Sequence, residues 1–213
     1  MAKGPLAPAE RTPMKTSTLA AMVLGPLALL TAAAAPAKTP PPAAPGQAVA
    51  VLAGGCFWSV EHELEQIPGV VDVVVGYAGG AKANPTYQNH EGHLEAVRVI
   101  YDPVRLSYEQ LTQGFFRRID PTDPNGQICD QGPSYRTAVF YSTGAERDAA
   151  LRVKGEVART LGKPVATEIR PAARFWMGEA YHQDFAEKNP GRYQAYKVGC
   201  GRERAIKAVW AGR

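Results

Sequence analysis

The chain has 213 residues, with 24 basic and 20 acidic side chains, four histidines and three cysteines. Three of its four surplus positive charges fall in residues 1–38, so the remainder is near neutral and offers no basic surface for nucleic acid. Cys56, Cys129 and Cys200 form no Cys-x-x-Cys pair, which leaves a zinc ribbon and a thioredoxin-type motif unsupported. An odd count points instead to a reactive thiol, or to one that changes partners.

Residues 1–37 read as a secretory signal peptide. Lys15 precedes a twelve-residue apolar run, Leu19 to Leu30, and small residues follow through Ala37. The run is short and broken by Gly25-Pro26, so no stable membrane association is expected. Met14 offers a more economical start, and residues 1–13 are then not translated. The expected destination is the bacterial periplasm. Residues 38–47 form a Pro-rich linker, and a single domain of residues 48–213 follows.

Val49 to Ala53 has the length and composition of a buried strand. Gly54 and Gly55 then let the backbone turn tightly, and from Ser59 the residues Val60, Leu64 and Ile67 recur at helical spacing. Cys56 therefore sits at a helix mouth, where free N–H groups and the helix dipole favour thiolate over thiol. Pro68-Gly69 turns the chain into a β-branched strand, Val70 to Tyr77. Glu95 to Tyr101 is a further strand. Ser107-x-x-Gln110 is a capping box that opens a helix through Leu111, Phe115 and Ile119.

A loop from Asp120 to Ser134 is long enough to be functional rather than idle. Thr137 to Tyr141 is a strand, and Thr143-x-x-Glu146 opens a helix to about Leu161. A short strand from Val165 to Ile169 follows. The order β-α-β-β-α-β, with one helix inserted before the last strand, indicates an α+β fold, a ferredoxin-like split β-α-β two-layer sandwich. Gly178, Pro190, Gly191, Gly199 and Gly201 make residues 171–213 a long irregular C-terminal tail wrapped around the sheet.

Asn89-His90-Glu91-Gly92-His93 lacks the i, i+4 pair of a helical zinc site, and no metal is expected. His62, His90, His93 and His182 each could serve a cysteine hydrolase as base, yet none has a diagnostic context. A non-catalytic domain stapled by Cys56–Cys200 is a third possibility. Cys200, flanked by glycines, could equally be a mobile thiol that reaches Cys56 only after oxidation.

Several segments together resemble the class A peptide methionine sulfoxide reductases. These are Gly55-Cys56-Phe57-Trp58, Gly76-Tyr77-Ala78-Gly79-Gly80, Asn84-Pro85-Thr86-Tyr87, Gly92-His93-Leu94-Glu95-Ala96-Val97, Ser134-Tyr135-Arg136-Thr137 and Tyr181-His182-Gln183, in family order from about Val49 to Gly201. The resemblance implies reduction of methionine-(S)-sulfoxide, free or in oxidised proteins, with no cofactor. Cys56 would be the nucleophile and Glu95 the acid. Tyr87 and Tyr135 would donate to the oxygen, and Asp130 would place substrate or water. Gly55, Phe57 and Trp58 would bind the substrate. Cys200 would resolve the Cys56 sulfenic acid, with Cys129 as the alternative, and a thioredoxin-like donor would recycle a monomeric enzyme. Ser59 stands where the family commonly has glycine, and Cys129 is an added thiol beside Asp130.

Overall fold

A computed structural model describes residues 39–213; the signal peptide read over residues 1–37 lies outside the described residues. The elements run β1 (Ala48–Gly54), α1 (Phe57–Glu65), β2 (Val70–Ala78), β3 (Leu94–Tyr101), α2 (Tyr108–Phe116), β4 (Gly126–Gln127), β5 (Asp130–Gln131) and β6 (Thr137–Tyr141). They continue with α3 (Gly144–Leu161), β7 (Glu168–Pro171), β8 (Trp176–Met177), α4 (Phe185–Lys188), α5 (Pro190–Cys200) and α6 (Arg202–Val209). The main sheet has the order β7-β6-β1-β3-β2-β8. Its pairings are antiparallel except β6–β7, which is parallel. The molecule is thus a mixed α/β fold on a mostly antiparallel sheet.

Alternation along the strands divides the sheet into two faces. Leu52, Val97, Val99 and Val139 point to one, where Val60, Leu64, Phe115 and Val153 from the helices complete the main core. Burial of each such side chain contributes about 1.5–3 kcal/mol. Ala53, Ala78, Ala96 and Ala138 point to the other, where Leu94, Phe140 and Phe175 cover them. Among the described residues no helix is long and apolar enough to cross a membrane.

Local signals act largely as their chemistry dictates. Ser107 Oγ accepts the Gln110 N–H at 3.2 Å while Gln110 Oε1 accepts the Ser107 N–H at 2.9 Å, a complete capping box on α2. At α3 the Thr143 hydroxyl accepts from the Glu146 N–H, but Glu146 reaches back to Ser142 instead. The last core strand starts at Glu168 rather than Val165, because the N–H groups of Ala166 and Thr167 donate to Pro121 O and leave the ladder.

The segment from Asp120 to Ser134 is not structureless. Strands β4 and β5 form a hairpin turning at Ile128-Cys129, and Pro133–Tyr135 is a 3-10 turn. Gly126 cannot carry a side chain there, since a Cβ would lie 2.3 Å from Asp130 O. Gln127 is buried and exchanges both amide hydrogen bonds with the Asp120 backbone, at 2.7 and 2.9 Å.

The expected irregular tail is the main correction. Residues 171–213 contain β8 and three helices. Pro190 is the first residue of α5, where its missing N–H costs nothing, and Gly201 closes that helix in the left-handed region at φ 65°. The residues taken as breakers are therefore a start and a stop. The tail is anchored by side chains. Glu61 of α1 accepts the N–H groups of Asp184 and Phe185, and Gln183 exchanges hydrogen bonds with Val75 N–H and O at 3.0 Å each. Arg202 donates to Gly54 O at 3.1 Å, and the Trp210 indole donates to Ile119 O at 3.1 Å.

Candidate active site

Strand β1 ends at Gly54, and Gly55 turns the chain at φ 88°, a value open to glycine at no steric cost. A Cβ on Gly55 would meet Gln127 Cβ at 2.5 Å, so the turn lies hard against the Asp120–Ser134 segment. Cys56 follows as the N-cap of α1, and its carbonyl accepts the N–H groups of Ser59 and Val60. The Phe57 N–H, the first free donor of the helix, goes to Glu95 Oε2 at 3.0 Å rather than to the thiol.

Glu95 pairs with Tyr77 across β2 and β3, and is 2% exposed. Burial pushes its pKa up to about 8, against the Phe57 N–H, which favours the anion; nearby Asp130 pushes it further up. The carboxyl therefore keeps its proton at neutral pH. Cys56, 6% exposed, is pushed up to about 12, first by burial and then by Glu95 and Asp130. The Tyr196 hydroxyl and the Trp58 N–H pull the other way and do not prevail. Burial thus opposes the thiolate that the helix terminus favours.

Cys56, Phe57, Trp58, Tyr87, Glu95, Asp130, Tyr135 and Tyr196 line one cavity of about 200 Å³. Every side chain expected at the catalytic centre meets there, together with Tyr196. Tyr87 is held by Glu179, whose Oε1 accepts the Tyr87 N–H at 2.9 Å while Oε2 accepts the Tyr77 hydroxyl at 2.9 Å. Burial raises the pKa of both Tyr87 and Tyr135 above the ordinary phenol value, so both remain donors. The Trp58 indole N–H donates to His182 Nδ1 at 3.1 Å, and its ring stacks on Phe185 at 3.7 Å. His182 is thereby the Nε2–H tautomer, and burial lowers its pKa. It forms the aromatic wall with Phe57 and Tyr87, with ring centroids at 4.9 and 4.6 Å.

Cys129 and Cys200 are joined to each other, and Cys56 is free. The Cys56–Cys200 staple is therefore overturned. Cys129 is exposed and Cys200 half-buried. Asp130 Oδ2 accepts the Tyr196 hydroxyl at 2.6 Å. His93 uses both ring nitrogens on the backbone of Gly80 and Lys82, and His90 Nδ1 meets Thr86 O, so both brace the loop that carries Tyr87. A larger groove, about 450 Å³, lies at the α5–α6 corner beside Lys197, Arg204 and Lys207 and is lined by none of the residues expected at the catalytic centre.

The residues missed from sequence are Tyr196 and Glu179. Tyr196 lies one helical turn before Cys200 on α5, so reading that segment as helix would have placed both on one face.

A hydrolase would need a free base beside Cys56, but His182 has already accepted a hydrogen bond at Nδ1. Proton donors around a buried thiol, with a joined cysteine pair on the flanking elements, suit two-electron chemistry at sulfur. The protein is a thiol oxidoreductase.

A family model described as peptide methionine sulfoxide reductase matches residues 48–213. A relative from Caulobacter vibrioides, "Peptide methionine sulfoxide reductase MsrA 2", is 48% identical over 181 residues, covering 83% of this chain and 92% of that one. The reduced form of Mxr1 from Saccharomyces cerevisiae is similar at TM-score 0.66 and 32% identity, covering 70% of this chain and 90% of that one. Mxr1 in complex with Trx2 is similar at TM-score 0.50 and 28% identity, covering 68% and 89%. The chain belongs to the peptide methionine sulfoxide reductase family, class A, and its activity is thiol-dependent reduction of methionine-(S)-sulfoxide to methionine.

Proposed function

We propose that Cys56 takes the oxygen of methionine sulfoxide as a hydroxyl group, and that the Cys129/Cys200 pair then clears it. Glu95 donates its proton to the sulfoxide oxygen, and the phenols of Tyr87 and Tyr135 hydrogen-bond the same atom. Cys56 Sγ attacks the sulfoxide sulfur as its own proton passes to the Glu95 carboxylate. The S–O bond breaks, the hydroxyl transfers to Sγ, and methionine leaves with two electrons from the cysteine sulfur. Phe57, Trp58 and the Gly55 turn shape the apolar slot for the methyl group, and Asp130 orients the substrate.

Cys200 then attacks the sulfenic acid, forming a Cys56–Cys200 disulfide and water. Cys129 attacks that disulfide, which frees Cys56 and leaves Cys129–Cys200. The carrying observation is that Cys56 is free while Cys129 and Cys200 are joined. Exposed Cys129 suits attack by a thioredoxin-like dithiol donor, which leaves oxidised as the pair is restored. The apolar run of residues 19–30 supports export to the periplasm, where this repair would serve oxidised envelope proteins. The order β6-β1-β3-β2 with split β-α-β connections supports a ferredoxin-like core.

The test is mass spectrometry of disulfide-linked peptides after one turnover without reductant. Wild type should show Cys129–Cys200, and Cys129→Ser should trap Cys56–Cys200. If Cys200→Ser traps Cys56–Cys129, the order of resolution is reversed. If Cys56→Ser still releases methionine, the reductase mechanism fails.

A further inference from the structure

Tyr196 has one phenolic proton and two acceptors to serve. In the structure it donates to Asp130 Oδ2 at 2.6 Å, while the same side chain lines the cavity beside Cys56. Its position ties that choice to the cysteine pair. Tyr196 is one turn before Cys200 on α5, and Asp130 is the chain neighbour of Cys129. The disulfide and the short hydrogen bond therefore bridge the same two elements, the β4–β5 hairpin and α5, on adjacent rungs.

We propose that Tyr196 is a catalytic residue of this reductase, and that its proton switches between Asp130 and Cys56 according to whether Cys129 and Cys200 are joined. With the disulfide closed, Asp130 is held against α5 and takes the proton. Cys56 then faces Glu95 from β3 and Asp130 from β5, both of which oppose a thiolate, and the Tyr196 hydroxyl, engaged by Asp130, offsets them only in part. Tyr87, Tyr135 and Tyr193 complete its titratable surroundings, and Arg202 of α6 faces Asp130. With the disulfide open, the hairpin is no longer tied to α5, and the Tyr196 hydroxyl turns to Sγ and stabilises the thiolate. Cys56 is thus quiet while no resolving thiol is available and reactive once one is. The order of events is enforced at the nucleophile, so a sulfenic acid does not form with nothing to resolve it.

This rests on the reductase mechanism above, but its test uses no sulfoxide. The rate of Cys56 alkylation by iodoacetamide is followed against pH at the Cys56 peptide by mass spectrometry. Wild type is compared as the Cys129–Cys200 disulfide and as the fully reduced protein. The reduced form should titrate about one pH unit lower, a tenfold greater thiolate fraction. Tyr196→Phe, which keeps the ring edge-on to Trp58 at 6.3 Å, should abolish the difference. The double variant Cys129→Ser, Cys200→Ser should titrate as the reduced wild type does, and decides the matter if Tyr196→Phe does not fold. Equal midpoints in the two wild-type states, a difference that survives in Tyr196→Phe, or a double variant matching the disulfide form overturns the proposal. Failure of the reductase mechanism shows separately, as no methionine released by reduced wild type.

Discussion

Glu61 on α1 accepts the backbone N–H of Asp184 at 3.0 Å and of Phe185 at 3.3 Å, across 123 and 124 residues of chain. This carboxyl, 1% exposed, joins the helix that starts at the nucleophile to the segment that carries His182 and α5. Glu61→Ala leaves two N–H groups without an acceptor in a buried site. The expected cost is about 2–4 kcal/mol, and Tm falls on the order of 10 °C. Thermal unfolding followed by circular dichroism checks it.

Burial also pushes Glu61 up to about 8, as it does Glu95, well above the ordinary carboxylate range. A carboxyl raised on folding stabilises the fold fully below its unfolded pKa and loses that contribution as pH rises through the folded one. Tm is therefore expected to decline from about pH 5 to pH 9. Glu61→Gln removes one of the two carboxyls and should flatten that slope, which a series of melts against pH will show.

The same shift at Glu95 sets the pH dependence of the chemistry. The acid must carry its proton, so single-turnover reduction should fall about tenfold per unit above pH 8. Glu95→Gln can still accept the Phe57 N–H and keep the turn in place, yet it has no acidic proton. Methionine release should slow by about 10²–10⁴-fold with Tm little changed. A flat pH profile in wild type would contradict the assignment.

Gly55→Ala places a methyl group 2.5 Å from Gln127 Cβ at a backbone φ of 88°. Both the clash and the strain act on the residue before the nucleophile. A stability loss of about 1–3 kcal/mol is expected, together with a larger relative loss of turnover than of Tm. Parallel melting and single-turnover measurements separate the two.

Trp58→Phe keeps an aromatic ring over Phe185 but leaves His182 Nδ1 without its donor. The pocket wall loosens while the reacting groups stay. KM for methionine sulfoxide should rise roughly 3–10-fold, with the single-turnover rate at saturation less affected.

The core of the fold was legible because its strands alternate and its caps are local. Ser107 and Gln110 satisfy each other within four residues, and the β-branched run from Val70 admits only a strand. The tail was illegible because α5 buries only Tyr193 and α6 only Arg202, too little to leave a periodic apolar stripe. With the pattern silent, Pro190 and Gly201 read as breakers. Cys56, Phe57, Trp58, Tyr87, Glu95 and Tyr135 lie in short motifs and could be named from sequence, whereas Asp130 lies outside those motifs and Tyr196 and Glu179 were missed. The state of Cys56 was not legible, because it depends on Glu95, Asp130 and Tyr196, which only tertiary folding brings to it.

The cavity above Cys56 is a small one of about 200 Å³, walled by Phe57, Trp58 and Tyr87, with His182 packed behind Phe57 and Trp58. An oxidised residue locked inside a well-packed client is out of range until its backbone can bend toward the enzyme. Mending damage then depends on how loosely the client holds the lesion, so native clients with interior lesions wait, while half-unfolded ones are served first.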